Sequence, residues 1–184
     1  ITVYDEEYHT PEWMKGGVMY QIFPDRFNKV GDYPVREGKI LRNDWGGLPS
    51  YRPNEAGKVL NNDFFGGNLN GITEKLDYLQ SLGVTVLYLN HVFEAYSNHR
   101  YDTGDYLKID PLLGTEQDFD RLTEEAGKRG IRIILDAVLN HTGSDSRYFN
   151  KYGHYDSLGA YQSQSSAYYD WYHFHSFPNS YDSW

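Results

Sequence analysis

The sequence lacks cysteine, lacks any long apolar run and has fewer basic than acidic residues. The absence of cysteine excludes a disulfide framework and a thiolate site, but it leaves open whether the protein is cytoplasmic or secreted. Because no run approaches about 18 apolar residues, no segment is expected to span a membrane. The first residue is Ile1 rather than Met, so we expect the natural N-terminus to be missing, and a signal peptide could have preceded it.

The charge balance argues against two classes of partner. The chain has 17 Lys and Arg against 26 Asp and Glu, which gives a formal net charge of −9. Nucleic acids and anionic membranes both require a basic surface. Neither is therefore expected as a partner, and a neutral or cationic ligand fits better.

Aromatic residues are abundant, at 17% of the chain, with 18 Tyr and 4 Trp. Such side chains suit ligands like sugars, which offer flat apolar faces edged with hydroxyl groups. Composition alone supports a structural explanation equally well, in which tyrosines pack at half-buried positions. The motifs must decide between the two.

Three short apolar runs predict buried parallel strands, because each is nearly continuous rather than alternating. They cover residues 18–23, 84–89 and 131–138. Runs of this kind predict a sheet that is covered on both faces.

A helix is predicted before the second strand and another before the third. The first helix covers residues 73–82 and is followed by Gly83, which suits a left-handed C-terminal cap. The second begins at Thr115, where Asp118 completes a capping box, and ends at Gly130. Alternating strands and helices predict right-handed βαβ units and an α/β fold with a parallel sheet, which leaves a barrel and an open sheet as alternatives.

Two long stretches interrupt this alternation. Residues 24–71 are rich in Gly, Pro and Asn, and residues 142–184 are rich in Tyr, Ser and His. Both follow predicted strands, and in α/β folds the loops after the strands build the ligand site. The aromatics at 171–174 and 181–184 are therefore candidates to line a cleft, or else to pack the segment itself.

A polar motif lies at the end of the third predicted strand, in residues 136–141 (DAVLNH). By the period of two, Asp136 and Asn140 are expected on one strand face, with His141 where the strand opens into a loop. A carboxylate in an apolar run is costly unless it is paired. The alternative is that Asp136 and Asn140 only satisfy loop backbone and that His141 is an ordinary surface histidine.

Four segments in order carry a resemblance to a known family. They are residues 20–27 (YQIFPDRF), 62–72 (NDFFGGNLNGI), 82–106, which include LGVTVLYLN and SNHRYDTGDY, and 136–143 (DAVLNHTG). Together they resemble the alpha-amylase superfamily, glycoside hydrolase family 13, in its neopullulanase and cyclomaltodextrinase-like branch. The resemblance extends from about Trp13 to the end of the chain.

The resemblance implies the N-terminal portion, about three βα units, of a TIM (β/α)8 barrel. Residues 1–141 would form the partial barrel, and residues 142–184 would begin domain B, which is inserted after the third strand. The remainder of the barrel is expected C-terminal to this chain, because 184 residues fall short of the ~250 that a complete barrel needs.

The resemblance also implies a sugar subsite. Tyr101 would stack on the glucose ring whose bond is cleaved, and His141 would donate a hydrogen bond to a hydroxyl of that ring. His99 would lie near the same ring, or else fasten the loop beside Arg100. Asp136 would orient an arginine that lies beyond the end of the chain, which supports catalysis without proton transfer.

Calcium is the implied cofactor. Asn140 matches a calcium ligand of many superfamily members, and its carbonyl is a hard oxygen donor suited to that ion. A second candidate site has the residues Asn28, Asp32, Gly66 and Asn68. Asn68 stands where the family usually has Asp, which weakens the second site. His91 is another departure, because the family usually has Pro there.

The implied activity is hydrolysis of alpha-1,4 and, as an extension, alpha-1,6 bonds of glucans such as starch, pullulan and maltodextrins. A retaining glycosidase needs a carboxylate nucleophile and a carboxylic acid roughly 5–5.5 Å apart. The family supplies them after later strands, so no catalytic residue is expected in this chain, and the chain alone is expected to be inactive. The alternative is a noncatalytic amylase-like module that binds carbohydrate or associates with a transporter.

Overall fold

The computed structural model describes residues 9–182, so the outer ends of both predicted domains and the aromatic residue at 184 lie outside the described residues. In chain order the strands and helices are β1 (Met19–Ile22), β2 (Ile40–Leu41), β3 (Asp63–Phe64), α1 (Leu69–Glu74), α2 (Leu76–Ser81), β4 (Val86–Leu89), β5 (Phe93–Ala95), β6 (Thr103–Ile109), α3 (Glu116–Lys128), β7 (Arg132–Leu135), β8 (Phe174–Ser176) and β9 (Ser180–Tyr181). Short 3-10 turns lie at Glu12–Met14, Pro24–Arg26 and Tyr169–Trp171.

The central sheet has three parallel strands in the order β1-β4-β7. Ile22 pairs with Leu89, and Leu89 pairs in turn with Leu135. The predicted α/β fold with a parallel sheet is thereby confirmed, and each strand is shorter than predicted. All three strands run the same way, so the loops that follow them leave from one edge of the sheet.

The third strand ends at Leu135 rather than Val138. The backbone N–H of Asp136 still donates to the carbonyl of Leu89 at 3.0 Å. The middle strand, β4, ends at Leu89, so it has no further strand residues to pair with those after Asp136. The expectation that Asp136 and Asn140 share a strand face is therefore wrong, because both follow the strand.

The first predicted helix is two short helices. α1 begins earlier than expected, at Leu69, and is capped by Asn68, whose side chain accepts from the backbone N–H of Gly71. Lys75, with φ −94° and ψ 6°, separates α1 from α2. Gly83 has φ +78°, as expected of a left-handed cap after α2.

The second predicted helix is confirmed as α3. Its capping box is complete, because Thr115 Oγ1 accepts from the Asp118 N–H at 3.2 Å and the Asp118 carboxylate accepts from the Thr115 N–H at 2.8 Å. Gly130 follows the helix with φ +71°. The buried Leu122 and Ala126 face the core.

The two faces of the sheet differ in burial. On one face Ile22 and Leu87 pack in a single apolar cluster with residues of the three helices. On the other face Met19 and Gln21 are exposed, although Val86 of the middle strand is buried. The prediction of a sheet covered on both faces is therefore correct for one face only within the described residues.

Three small sheets are separate from the central sheet: the parallel pair β2-β3, the hairpin β5-β6 and the hairpin β8-β9. The segment from residue 142 to 182 holds a cluster of aromatic rings around Phe149, which contacts Tyr161, Tyr172, Phe174 and Tyr181. These rings pack the segment itself. Among residues 9–182, no helix has both the length and the apolarity to cross a membrane.

Candidate functional site

A chain of hydrogen bonds crosses the sheet at the carboxyl ends of its strands. The Gln21 Nε2 donates to the Asn90 Oδ1 at 2.9 Å, and the Asn90 Nδ2 donates to the Tyr101 hydroxyl at 3.0 Å. That hydroxyl donates to the Asp136 Oδ2 at 3.1 Å. The His141 Nε2 lies 2.9 Å from the backbone carbonyl of Tyr101. We call these five residues the rim cluster.

The rim cluster brings together three residues that the sequence predicted for one site, Tyr101, Asp136 and His141. Asn140 is adjacent in sequence to His141 but is exposed and takes part in none of the rim-cluster hydrogen bonds described above. Sequence reasoning missed Gln21, although a polar residue in the middle of the first apolar run was a usable signal.

Tyr101 presents an aromatic ring at the edge of this cluster, with 36% of the residue exposed. Burial of the hydroxyl, together with its hydrogen bond to Asp136, raises the pKa of Tyr101. The hydroxyl is therefore protonated at neutral pH and can donate to the carboxylate. With the hydroxyl occupied by Asn90 and Asp136, the ring face is the part of the side chain left to meet a ligand.

His99 lies in the same loop as Tyr101 and contacts it through both its ring and its Nδ1. Its ring stacks on that of Tyr101, with centroids 5.8 Å apart and planes 24° apart. Its Nδ1 accepts from the backbone N–H of Tyr101 at 3.1 Å and lies 3.1 Å from the Ser97 Oγ. His99 thus fastens the loop and also supports the ring that the loop carries.

The contact of His141 defines which ring nitrogen carries a proton. A carbonyl oxygen only accepts, so the Nε2 must be the donor toward Tyr101. In the neutral ring the Nδ1 is then an acceptor. Donation from His141 to a sugar hydroxyl therefore requires either the Nε2 proton to leave the Tyr101 carbonyl or the ring to be protonated.

Asp136 is a half-buried carboxylate without a cationic partner among the ion pairs of residues 9–182. Besides Tyr101, its neighbour is Tyr88, whose hydroxyl pKa is raised by burial and by a hydrogen bond to Asp136. Two phenolic donors hold the carboxylate in position. A half-buried carboxylate in such a place is suited to receive a cation from another part of the protein.

His91 lies behind Tyr101, with its ring centroid 6.2 Å from that of Tyr101 and 5.3 Å from that of Phe93. The residue is 1% exposed. Burial lowers the pKa of His91 to about 4, so the imidazole is neutral at pH 7. Its Nε2 lies 3.1 Å from the Thr103 Oγ1. His91 is therefore a neutral side chain that packs beneath Tyr101, at a position where the family usually has Pro.

A buried ionic network supports the loop that carries Tyr101. Arg100, which has φ +61°, is 1% exposed and its Nε donates to the Asp110 Oδ2 at 3.1 Å. The Lys39 Nζ donates to the same oxygen at 3.1 Å. Burial would raise the pKa of Asp110, but the two cations outweigh it and the pKa is lowered. Breaking one member of such a network is strongly destabilising, because it leaves a buried charge unpaired.

Asn68 does not fit the role of a calcium ligand. Its Oδ1 accepts from the Gly71 N–H at 2.8 Å and from the Val30 N–H at 3.4 Å. Its Nδ2 donates to the carbonyls of Val30 and Gly66 at 3.0 and 3.4 Å. The amide N–H groups thus contact the carbonyl oxygens that a cation would need, and the side-chain oxygen is committed to the helix cap.

The other members of that candidate set are also committed elsewhere. The Asn28 Nδ2 donates to the Gly71 carbonyl at 3.1 Å, and Asp32 is exposed and pairs with the Lys29 Nζ at 2.7 Å. As arranged, the side chains of Asn28, Asp32 and Asn68 are engaged in these contacts, so the set does not fit the ion.

Fold and rim cluster together define an α/β protein whose polar and aromatic groups converge at the carboxyl ends of parallel strands. The catalytic-domain model of the alpha-amylase family, "Alpha amylase, catalytic domain", matches residues 21–183. The chain belongs to the alpha-amylase family.

Among curated relatives, the chain is 52% identical to the amylopullulanase of Thermoanaerobacterium saccharolyticum, with 100% of this chain and 16% of that protein aligned. It is 43% identical to the intracellular maltogenic amylase of Bacillus subtilis, over 97% of this chain and 27% of that protein. The chain therefore spans between about a sixth and about a quarter of these relatives.

Solved structures agree on the fold. The cyclic alpha-maltosyl-(1→6)-maltose hydrolase of Arthrobacter globiformis, in complex with its cyclic sugar, superposes with a TM-score of 0.74 at 37% identity, over 95% of this chain and 36% of that one. The type III pullulan hydrolase of Thermococcus kodakarensis gives 0.72 at 35% identity, over 94% and 32%.

Proposed function

We propose that this chain is the N-terminal part of the catalytic barrel of an enzyme that hydrolyses alpha-glucans. Residues 1–141 would supply the first three strands, and residues 142–184 would begin domain B. The exposed sheet face around Met19 and Gln21 supports this arrangement, because the inner face of a barrel is covered only when further strands close it. The names of the relatives support alpha-glucans as the substrate class.

The observation that carries the proposal is the way the rim cluster presents Tyr101. Asn90 and Asp136 bind its hydroxyl and His99 supports its ring. A fixed aromatic face beside polar groups suits the apolar C–H surface of a glucose ring. We assign to Tyr101 the stacking contact, to His99 support of that contact, and to His141 a hydrogen bond to a sugar hydroxyl.

Asp136 has a positioning role in this proposal. An arginine from a later part of the barrel would pair with it, which would complete the charge balance of a carboxylate that otherwise has two tyrosine partners. Bond cleavage with retention needs a nucleophilic carboxylate and a carboxylic acid on opposite sides of the scissile bond. Both would come from strands that follow residue 184, so this chain binds and orients substrate without cleaving it.

Calcium is part of the proposal only through Asn140, since the set around Asn68 does not fit the ion. The exposed Asn140 side chain would be one oxygen ligand, and the others would come from domain B or later loops.

The full-length protein and residues 1–184 alone should be assayed side by side on pullulan, maltodextrin and cyclodextrin. We expect reducing sugar from the full-length protein and none from the chain alone above a buffer control. NMR of the first product should show the alpha anomer before mutarotation, because two displacements at the anomeric carbon retain its configuration. Beta anomer would contradict the retaining mechanism. Sugar binding without hydrolysis by the full-length protein would instead identify a noncatalytic module.

A further inference from the structure

A second group of polar side chains lies far from the rim cluster in sequence, on the hairpin β8-β9. His173 immediately precedes β8 and His175 lies within it, and their spacing of two residues in extended backbone directs both side chains to one side. Asp182 is opposite them, because Phe174 pairs with Tyr181 and the Asp182 N–H donates to the His173 carbonyl at 3.0 Å. The hairpin backbone alone therefore brings two imidazoles and a carboxylate together.

The three side chains already converge. The His173 Nδ1 lies 2.7 Å from the Asp182 Oδ2, and the His175 Nε2 lies 2.6 Å from the Asp182 Oδ1. The three donor atoms all lie within 4.8 Å of one another. Zn–N and Zn–O bonds of about 2.0–2.2 Å in a tetrahedron place neighbouring donors roughly 3.3 Å apart. Small side-chain rotations would therefore bring these atoms to that spacing.

The chemistry of the donors favours one class of ion. Imidazole nitrogen suits zinc and neighbouring transition metals, whereas calcium and magnesium prefer ligand sets made of oxygen. Two histidines and one carboxylate are a donor set known for zinc sites that leave one position for water.

The hairpin that carries the donors is held by packing on its other face. Phe174 stacks on Phe149 with centroids 6.1 Å apart and planes 9° apart, and Tyr181 contacts Phe149 at 4.9 Å. The Lys151 Nζ also donates to the Tyr181 hydroxyl at 3.0 Å. Because this packing holds the hairpin backbone, binding an ion costs little backbone freedom.

We propose that His173, His175 and Asp182 form a site for a divalent transition-metal ion, Zn²⁺ in the first place, that ties the two strands of the β8-β9 hairpin together. The three side chains are exposed, at 70%, 56% and 62%, so the ion has direct access from solvent. The site shares no residue with the rim cluster.

The same segment contains a natural control. His154 pairs with Asp145 at 3.0 Å and has an exposed side chain. It has a carboxylate partner but no second histidine, so it cannot hold an ion with three side chains. A zinc effect that belongs to the proposed site must therefore respond to His175 and not to His154.

The full-length protein is first freed of metals with a chelator and is then titrated with Zn²⁺. Binding is measured by calorimetry and by the change in melting temperature. We expect His175→Gln to bind one zinc equivalent fewer than the wild type, or to bind that equivalent at least about 10-fold more weakly, since even an outer-shell partner of a metal is worth that much. His154→Gln should match the wild type. Asp182→Asn, which keeps the size of the side chain, should behave like His175→Gln.

Cobalt provides a direct spectroscopic reading of the same site. Co²⁺ bound by two imidazoles and a carboxylate in a tetrahedral site gives strong visible absorption bands, and these should be lost in His175→Gln and retained in His154→Gln. Equal zinc binding by the wild type and His175→Gln would overturn the proposal. So would a loss of the zinc equivalent in His154→Gln, or saturation of the site by Ca²⁺ at the concentration at which Zn²⁺ saturates it.

Discussion

At the scale of single residues, the position of Tyr101 is set by contacts that come from all three strands of the sheet. Gln21 on β1 binds Asn90 after β4, and Asn90 and Asp136 bind the Tyr101 hydroxyl from two sides. Each hydrogen bond contributes about 0.5–1.5 kcal/mol. The ring is therefore fixed by polar groups that leave part of it exposed.

His91 makes the stability of the protein depend on pH. Its pKa of about 4 in the folded state lies below the ordinary value of 6.5, so its contribution to stability is complete above pH 6.5 and is lost as the pH falls toward 4. At pH 5 the loss amounts to about 2 kcal/mol by linkage. We expect the melting temperature to fall less between pH 7 and pH 5 in His91→Gln, which keeps a hydrogen-bonding group near Thr103 but does not titrate.

Comparing the wild type with His91→Gln removes the contribution of the other titratable groups, because both proteins contain them. An equal fall in melting temperature for the wild type and His91→Gln would show that the buried imidazole does not carry the effect.

At the scale of helices and strands, the sequence predicted those features that depend on neighbouring residues. The capping box at Thr115 and the left-handed glycines at 83 and 130 lie where the sequence places them, because each depends on a few neighbouring residues. The end of β7 at Leu135 depends instead on where its partner strand stops. The cap at Asn68 was missed because its side chain binds both its own helix and the distant Val30.

Asn68 allows a sharp test of the calcium question at this element. Asn68→Asp keeps an oxygen to cap α1 but replaces the N–H donors that face the Val30 and Gly66 carbonyls with a second acceptor. In a chelator we expect a melting temperature several degrees below that of the wild type, since the half-buried Val30 carbonyl and the buried Gly66 carbonyl both lose a donor. Added Ca²⁺ should restore the variant, because carboxylate and carbonyl oxygens together suit that ion.

The wild type provides the control, since its Asn68 amide already contacts both carbonyls. We expect Ca²⁺ to raise the melting temperature of Asn68→Asp by more than that of the wild type. An equal rise in melting temperature for the wild type and the variant, caused by Ca²⁺ bound at this loop, would contradict our reading of the Asn68 side chain.

At the scale of the whole molecule, one face of the central sheet is well covered and the other is poorly covered within residues 9–182. Leu87 and Ile22 pack against the helices, whereas Met19 and Gln21 are exposed. The chain covers 27% of the Bacillus subtilis maltogenic amylase and 16% of the Thermoanaerobacterium saccharolyticum amylopullulanase. The α/β fold and the meeting of Tyr101, Asp136 and His141 were predictable from motif order alone. The direction of the His141 hydrogen bond and the support from Gln21 were not, since both depend on side chains from separate strands.

The central claim, that Tyr101 offers its ring to a glucan, is tested most directly by two substitutions in the full-length protein. Tyr101→Phe removes the hydroxyl contacts with Asn90 and Asp136 and keeps the ring, so kcat/KM on maltodextrin should fall by less than about tenfold. Tyr101→Ala removes the ring, and we expect a fall of roughly 10- to 100-fold beyond that of Tyr101→Phe. The exposed Tyr152 provides the control, and Tyr152→Ala should stay within about twofold of the wild type. Equal kcat/KM values for Tyr101→Ala and Tyr101→Phe, in proteins that melt at the same temperature, would contradict the account.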